Sequence, residues 1–208
     1  MQMQEYRKRY DALAQESEFY EIPLRKEWLL RAAGRNKQIL DVGCLGGSLS
    51  RLLLEQNNEV SGIEVNERAA REAERKGIRV KVANVEEGLP YDDQAFDLVH
   101  AGELIEHLYD TRAFFGETYR VLREGGQFLF TTRNLNSLQN RLRVVSGGYI
   151  QALGVFPEDH YGERVRVFNV EKIQELCEHA GFRVQEIRGV PLDQSLGRLA
   201  DIPVGMLG

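Results

Sequence analysis

The chain has 208 residues, of which 42% are hydrophobic and 28% are charged, and this composition fits one globular domain with a core of ordinary size. Its formal net charge of −5 gives no general attraction to nucleic acid or to anionic lipid. The sequence contains no signal peptide and no apolar run near the roughly 18 residues that a membrane span needs, so we expect a cytoplasmic protein. The two cysteines, Cys44 and Cys177, indicate neither a disulfide framework nor a paired metal motif.

The first part of the chain predicts a helical segment and then a strand that enters a helix through a glycine-rich turn. Residues 4–33 are rich in helix-forming and charged residues. Residues 38–42 read as a short buried strand, after which three glycines allow a sharp turn before Ser48 opens a helix. Further elements are predicted in this order: strand 59–64, helix 66–76, strand 78–83, loop 84–94, strand 95–100, a largely helical region 103–122 and strand 127–132.

Alternation of strands and helices at these intervals predicts an α/β fold, with a doubly wound, mainly parallel, Rossmann-like sheet flanked by helices. Crossover connections in such sheets are right-handed, so the carboxyl ends of the strands lie along one edge. Asp41, Glu64, Asn84 and Glu103 each fall at or just beyond the end of a predicted strand. We therefore expect these four polar residues to line one crevice, where open α/β sheets bind ligands.

The last third of the chain departs from this alternation. Residues 134–166 include a basic amphipathic segment, two adjacent glycines and an irregular stretch, and insertions of this length are often functional lids. A helix over 170–180 and a sixth strand over 182–187 follow, whereas residues 189–208 show no clear pattern and no evident final strand. The expected organisation is one domain, with a helical segment over 1–36, a cofactor-binding core over 37–188 that contains the insertion, and a tail.

The glycine spacing distinguishes between two kinds of ligand. A dinucleotide site requires Gly-x-Gly-x-x-Gly, and the run from Gly43 to Ser48 lacks the second and third glycines of that spacing. Hydride-transfer chemistry is therefore disfavoured. Glu64 stands 23 residues after Asp41 at the end of the next strand, where a carboxylate can accept two hydrogen bonds from a ribose diol.

Six motifs together resemble those of the class I S-adenosylmethionine-dependent methyltransferases. They cover about residues 37–188, and their order and spacing are more specific than any one of them. The motifs are Ile-Leu-Asp-Val-Gly-Cys-x-Gly-Gly (39–47), Gly-Ile-Glu (62–64), Ala-Asn-Val-Glu (83–86), Leu-Pro-Tyr-x-Asp-x-x-Phe-Asp-Leu-Val (89–99), Glu-x-Ile-Glu-His-Leu (103–108) and Arg-Val-Leu-Arg-Glu-Gly-Gly (120–126).

This resemblance implies S-adenosylmethionine as the cofactor and S-adenosylhomocysteine as the product, and it assigns roles to several residues. The Asp41 side chain and the Gly43 backbone are expected at the methionine end, and Glu64 at the ribose hydroxyls. Asn84 and Val85 are expected at the adenine. The full set implied for cofactor binding is Asp41, Gly43, Cys44, Gly47, Glu64, Val65, Asn84, Val85, Ala101 and Glu103.

Three positions depart from the pattern of this family. Leu45 stands where a second glycine is usual, which narrows the space beside the methionine moiety. Asn84 replaces a frequent aspartate, although its amide oxygen can still accept a hydrogen bond from the adenine amino group. Arg133 stands where related glycan and secondary-metabolite methyltransferases usually have proline.

Histidines near the expected acceptor side are candidates for catalysis. His107 is the first candidate for a general base, and His160 in the insertion is the second, while a structural role is the alternative for either. One helical turn would also bring Glu103, Glu106 and His107 toward one face, and with His160 they resemble a divalent-metal site of ubiquinone-pathway and small-RNA methyltransferases. A divalent metal remains an open possibility at this point.

The sequence therefore predicts a methyltransferase that acts on an oxygen of a small molecule or saccharide. The alternatives are methylation of RNA or another macromolecule, which the acidic charge balance disfavours, and a protein that binds the cofactor without turnover. We expect a small-molecule acceptor, no nucleic-acid partner and no membrane span, and the oligomeric state is open. The arginines of the insertion region offer either an anion-binding surface or a solvated basic face: Arg133, Arg141, Arg143, Arg164 and Arg166.

Overall fold

A computed structural model describes residues 23–150, 165–189 and 204–207 of the chain. Its helices are α1 (Pro23–Ala33), α2 (Ser48–Glu55), α3 (Glu67–Arg75), α4 (Thr111–Val121), α5 (Leu138–Val145) and α6 (Val170–His179). Its strands are β1 (Gln38–Val42), β2 (Glu59–Glu64), β3 (Arg79–Val82), β4 (Phe96–Gly102), β5 (Leu122–Thr131), β6 (Val184–Arg188) and β7 (Val204–Leu207). Single turns of 3₁₀ helix occur at Val85–Glu87 and at Ile105–His107.

The strands form one sheet in the order β3-β2-β1-β4-β5-β7-β6. Strands β1 to β5 pair in parallel, and β7 pairs antiparallel with both β5 and β6. The predicted α/β fold with a mainly parallel sheet is therefore confirmed. In this order β1 lies between β2 and β4, so the turn that follows β1 lies beside the ends of both neighbours.

Burial of apolar side chains explains why these segments form a sheet with both faces covered. Ile39, Leu40 and Val42 in β1 are fully buried, as expected for a central parallel strand. On one face Phe115 packs edge-to-face against Phe128 and Phe130, with ring centroids 5.2 and 5.3 Å apart. The other face is covered by a cluster that includes the following residues of α1, α2, α3 and the sheet: Leu29, Leu53, Ala73, Leu98 and Leu129.

Side-chain caps set where several helices begin. Asn66 accepts hydrogen bonds from the backbone amides of Arg68 and Ala69 at the start of α3. Asp110 likewise accepts from the amide of Ala113, so α4 begins at Thr111 rather than near residue 103 as the sequence pattern indicated. The polypeptide between β4 and α4 is thus a loop with one 3₁₀ turn, and this loop borders the ligand edge of the sheet.

The C-terminal tail supplies a strand that the sequence analysis did not find. Residues 204–207 form β7, whose backbone pairs Phe128 with Leu207 and Arg188 with Val204. The expectation that the tail provides no final strand was therefore wrong. A four-residue strand containing glycine has little pattern of its own, and its pairing depends on the two neighbours it lies between.

The loop between β3 and β4 is anchored by α4. The guanidinium group of Arg120 donates hydrogen bonds to the carbonyl oxygens of Leu89 and Tyr91, and it forms an ion pair of 2.7 Å with Asp93. Glu117 accepts from the Leu89 amide and pairs with Arg120, which holds the pKa of the Glu117 carboxyl below its usual range.

Among the helices that the structure describes, none has the length and apolar character of a membrane span.

Gly47 is a position where the fold requires the absence of a side chain. Its φ is +72°, and a Cβ added there would lie 2.7 Å from Cβ and 2.9 Å from Cα of Ala73 in α3. Gly125 offers a matched control, because its φ is +74° but no described atom lies within 4 Å of an added Cβ.

We expect Gly125→Ala to lower the free energy of unfolding by about 1–2 kcal/mol, the cost of a left-handed alanine. Gly47→Ala should lose about 1–3 kcal/mol more, because the added methyl must displace α3. Chemical denaturation of both variants and the wild type measures the difference. Equal losses in the two variants would contradict the close packing of α3 on this turn.

Candidate cofactor site at the carboxyl edge of the sheet

The turn between β1 and α2 brings backbone groups to the edge of the sheet. The amides of Gly43 and Cys44 both donate to the carbonyl oxygen of Ile63 in β2, at 2.9 and 3.1 Å. These bonds tie the turn to the neighbouring strand. Gly43 has a φ of +74°, and a Cβ at this position would lie 3.3 Å from Cδ1 of Leu104, so this glycine permits both the turn and the close approach.

Leu45 adopts a left-handed backbone conformation in this turn, with a φ of +47°. A leucine there costs about 1–2 kcal/mol relative to glycine, the residue usual in the resembled family. The Leu45 amide donates a 3.0 Å hydrogen bond to Oε2 of Glu64, and this bond offsets part of the strain. Leu45 therefore holds a left-handed conformation that glycine adopts without steric cost.

Glu64 ends β2 with a buried carboxylate. Only 2% of the residue is exposed, Oε2 accepts from Leu45 and Oε1 accepts from the Asn66 amide at 2.8 Å. Burial raises the pKa of this carboxyl above its usual range. Hydrogen bonds from backbone amides lower the pKa in part, and the negative charge of Asp41 raises it further. A carboxylate has about four acceptor positions, so the group retains capacity for hydroxyl donors.

Cys44 packs between the turn and β2. A Cβ added at Gly62 would lie 2.6 Å from Sγ of Cys44, which shows how tightly the thiol fills this space. Burial raises the pKa of the Cys44 thiol, and the nearby charges of Asp41 and Glu64 raise it further. The thiol is therefore protonated at neutral pH and acts as a packing group rather than a nucleophile.

Asp41 is held by two side chains that the sequence analysis did not single out. Its Oδ2 accepts a 2.5 Å hydrogen bond from Oγ of Ser50 in α2, and its Oδ1 lies 2.7 Å from Nδ1 of His100 in β4. All three residues are buried. The parallel register places Asp41 directly beside His100, a relation that follows from strand pairing and not from any local sequence signal.

The residues expected at the adenine lie beyond β2 and β3. Val65, directly after Glu64, is half exposed, and Val85 is partly buried in the 3₁₀ turn. Asn84 is exposed and caps that turn, because its Oδ1 accepts a 3.1 Å hydrogen bond from the Glu86 amide. The amide side chain of Asn84 is thus oriented by its own loop.

The end of β4 carries Ala101 and Glu103. Ala101 is fully buried in the sheet, so any contact with a ligand is through its backbone. Glu103 has a left-handed φ of +51°, and its amide donates to the carbonyl oxygen and the hydroxyl of Thr131 in β5. Its carboxylate lies 3.8 Å from Nε of Arg133, so the arginine that replaces the usual proline faces an acid at the same edge.

The loop after β4 does not form the continuous helical turn on which a divalent-metal site was considered. The left-handed Glu103 precedes the 3₁₀ turn, so Glu103, Glu106 and His107 do not share one face of a continuous helix. Glu106 is 1% exposed and accepts a 2.9 Å hydrogen bond from the Thr132 hydroxyl. In the described segments, no three histidine, cysteine or acidic side chains are grouped to hold a metal ion, and His160 lies outside those segments.

His107 lies in the 3₁₀ turn, where its amide donates to the carbonyl oxygen of Leu104. The residue is partly buried, at the same edge of the sheet as Glu103. Its position after β4 and its partial exposure are compatible with contact to an acceptor.

The segment that returns from the insertion is bound to this edge. The amides of Val165 and Arg166 both donate to the carbonyl oxygen of Glu106, at 3.0 and 3.1 Å. The guanidinium group of Arg166 donates to the carbonyl oxygen of Tyr109, and the Tyr109 amide donates to Oε1 of Glu86 at 2.5 Å. The central residues 151–164 of the predicted lid, with Arg164, lie outside the described chain.

Comparisons with known proteins agree on one family. A family model described as a methyltransferase domain matches residues 40–130. A ubiquinone biosynthesis O-methyltransferase of Aromatoleum aromaticum is 31% identical over 206 residues, which cover 93% of this chain and 87% of the relative. A protein of the same name from Pseudomonas putida (strain GB-1) is 30% identical over 218 residues, covering 96% and 93%.

Two solved structures named as methyltransferases share this fold. A SAM-dependent methyltransferase from Thermotoga maritima, described as a possible histamine N-methyltransferase, has a TM-score of 0.66 at 22% identity, with 96% of this chain and 92% of that chain covered. One from Mesorhizobium loti has a TM-score of 0.65 at 20% identity, covering 88% and 98%. The chain therefore belongs to the class I S-adenosylmethionine-dependent methyltransferases.

The residues present fit the cofactor of this class. Gly43 lets the turn pack closely on the loop after β4, since an added Cβ there would lie 3.3 Å from Cδ1 of Leu104. The Glu64 carboxylate next to that turn suits a ribose diol, and the half-exposed Val65 beside it suits the flat face of a base.

The raised pKa of Glu64 predicts a specific pH dependence of stability. Because the folded-state pKa is above the unfolded value, the contribution of Glu64 is fully present below the unfolded pKa and is lost as pH rises through the folded pKa. Glu64→Gln removes this titration. The free energy of unfolding of Glu64→Gln minus that of the wild type should therefore increase as pH rises from about 4 to 7, as measured by urea denaturation. A difference independent of pH would contradict the burial of an ionisable Glu64.

Proposed function

We propose that the chain transfers the methyl group of S-adenosylmethionine to an oxygen of a small molecule or saccharide. The observation that supports this most is the buried Glu64 carboxylate held against the glycine turn, because an acid at the end of the strand next to β1 suits the two hydroxyls of a ribose. The oxygen acceptor is proposed from the relatives, which are named as O-methyltransferases of ubiquinone biosynthesis.

We assign the cofactor contacts along the edge of the sheet as follows. The β1 turn, with Gly43, Cys44 and Gly47, approaches the methionine end by its backbone, and Asp41 stabilises that turn from below. Glu64 and Val65 bind the ribose and border the adenine. The remaining contacts are assigned to Asn84 and Val85 at the adenine and to Ala101 and Glu103 along the methionine moiety.

When bound, S-adenosylmethionine supplies a sulfonium-activated, electrophilic methyl group. The chain then has three tasks: to hold the acceptor oxygen in line with the methyl group, to exclude water and to remove a proton where the acceptor is a hydroxyl. We assign proton removal to His107, because it lies next to the loop that carries Glu103 and is partly exposed. The backbone amides of Val165 and Arg166 bind the Glu106 carbonyl oxygen in the same loop, and we assign these two residues to the acceptor side.

Two other functions have some support. Methylation of RNA or another macromolecule would use basic residues of α5 such as the exposed Arg141. The net charge of −5 disfavours this function, because it repels nucleic acid. A binding protein without turnover would retain the Glu64 site and lack transfer. A divalent metal at the acceptor side is a further option that a chelator tests.

The test is a measurement of S-adenosylmethionine binding by calorimetry together with release of S-adenosylhomocysteine over a panel of phenolic, saccharide and RNA acceptors, with and without chelator. Glu64→Ala should lose binding severely, because the ribose hydroxyls lose their acceptor. His107→Gln should keep binding but slow transfer about 10²- to 10⁴-fold, the usual contribution of a general base.

Particular outcomes would overturn these assignments. Unchanged affinity in Glu64→Ala would refute the ribose contact. Saturable binding with no turnover on any acceptor, with or without divalent ions, would favour the binding protein. Tight binding of a nicotinamide dinucleotide with weak binding of S-adenosylmethionine would overturn the proposed reaction itself.

A further inference from the structure

A buried polar cluster lies beneath the cofactor turn, formed by Asp41, Ser50 and His100. Ser50 is fully buried, and the other two residues are 3% and 4% exposed. The cluster joins three elements, since Asp41 is in β1, Ser50 in the first turn of α2 and His100 in β4. Buried polar groups of this kind are stable only when each is satisfied, so their arrangement is specific.

The hydrogen bonds define the chemical state of the cluster. The Ser50 hydroxyl donates to Oδ2 of Asp41, and an ionised carboxylate can only accept. Nδ1 of His100, at 2.7 Å from Oδ1, therefore carries a hydrogen and donates it. Asp41 fixes which ring nitrogen is protonated, and His100 in turn fixes the rotation of the Asp41 carboxylate.

The Asp41–Ser50 hydrogen bond spans the glycine turn. It connects Asp41, near the end of β1, to Ser50, near the start of α2. The hydrogen bond thereby fixes the separation of the two ends of residues 43–47. An acidic group near the start of a helix also interacts favourably with the helix dipole. The charge of Asp41 reaches the site, because it raises the pKa of both Cys44 and Glu64.

His100 extends along β4 toward the ligand edge. A Cβ added at Gly102 would lie 3.1 Å from Cε1 and 3.5 Å from Nε2 of the ring. Gly102 therefore leaves room for the ring, on the strand that leads directly to Glu103. The φ of Gly102 is not in the left-handed region, so an alanine there adds a contact with the ring and no backbone strain.

We propose that His100 is a positioning residue of the cofactor site, which holds the Asp41 carboxylate in the orientation that binds α2 so that the turn presents its backbone and a negative charge to the sulfonium cofactor. The inference rests on the proposed function and adds His100 and Ser50 to the site. S-adenosylmethionine carries one positive charge more than its product S-adenosylhomocysteine. The Asp41 carboxylate, held beneath the turn, therefore favours the substrate form of the cofactor over the product form.

The test compares His100→Leu with His100→Asn by calorimetry of both cofactor forms. Leucine cannot donate to Asp41, so the carboxylate loses the contact that fixes its orientation beneath the turn. The ratio of affinities for S-adenosylmethionine over S-adenosylhomocysteine should fall about five- to tenfold in His100→Leu. Asparagine retains an N–H donor, so His100→Asn should keep the wild-type ratio even if its stability is lower.

Two further variants keep the test decisive. His179→Leu is the matched control, because His179 is exposed on α6 and bonds only to the Glu175 carbonyl oxygen among described residues. Its ratio should equal that of the wild type. Gly102→Ala tests the ring without removing it, and it should lower the ratio in the wild type but leave it unchanged in a chain that also carries His100→Asn.

The outcomes separate this inference from the proposed function. If His100→Leu lowers the affinities for both cofactor forms equally, or changes neither, the ratio stays constant. The histidine is then merely structural and the inference is overturned. The proposed function would still stand if Glu64→Ala loses binding. If the wild type binds neither form, the proposed function fails and the inference with it.

Discussion

The tight passage from β1 into α2 is the constraint on which the rest of the site depends. This turn must bend sharply, lie against β2 and allow α3 to approach, and it achieves this with Gly43 and Gly47 in left-handed conformations. Its two ends are joined by the Asp41–Ser50 hydrogen bond. Because β1 lies between β2 and β4, a displacement of the turn would also displace the ends of these two strands.

Function follows from what this constraint leaves at the edge of the sheet. Backbone groups of the turn, the Glu64 carboxylate and the Glu103 loop belong to three neighbouring strands, and parallel pairing brings their carboxyl ends together. The proposed acceptor side has a less regular backbone: the 3₁₀ turn with His107 and the residues Val165 and Arg166, whose amides bind the Glu106 carbonyl oxygen. On this proposal, the residues at the ends of β1 and β2 bind the constant methyl donor, and the less regular segments determine which acceptor is used.

Much of the core was predictable from the sequence because local signals and tertiary structure agree there. Strand β1, the glycines after it and helix α3 each have a local sequence signal. Their positions were therefore predicted within a residue or two. The start of α4 was not, because the Asp110 cap determines it and the preceding Glu103 is left-handed. Strand β7 was missed because its four residues carry no strand pattern and its formation depends on pairing with β5 and β6.

The site shows the same division. Glu64 and the turn glycines were found from motif spacing, whereas His100 is 59 residues from Asp41 and meets it only through the β1–β4 register. Glu103, Glu106 and His107 do not lie on one helical face as their spacing suggested, because the left-handed Glu103 interrupts the helix. Side chains whose roles depend on strand pairing or on an unusual φ cannot be read from a single sequence.

The central claim is that the carboxyl edge of β1, β2 and β4 binds S-adenosylmethionine. Amide hydrogen exchange, measured with and without the cofactor, locates the binding site directly. The account predicts slower exchange for the amides of Gly43–Ser50, of Val65 and Asn66, and of Glu103, with the exposed amides of α5 unchanged. Protection confined to α5, or no change at the β1 turn on saturation, would contradict it.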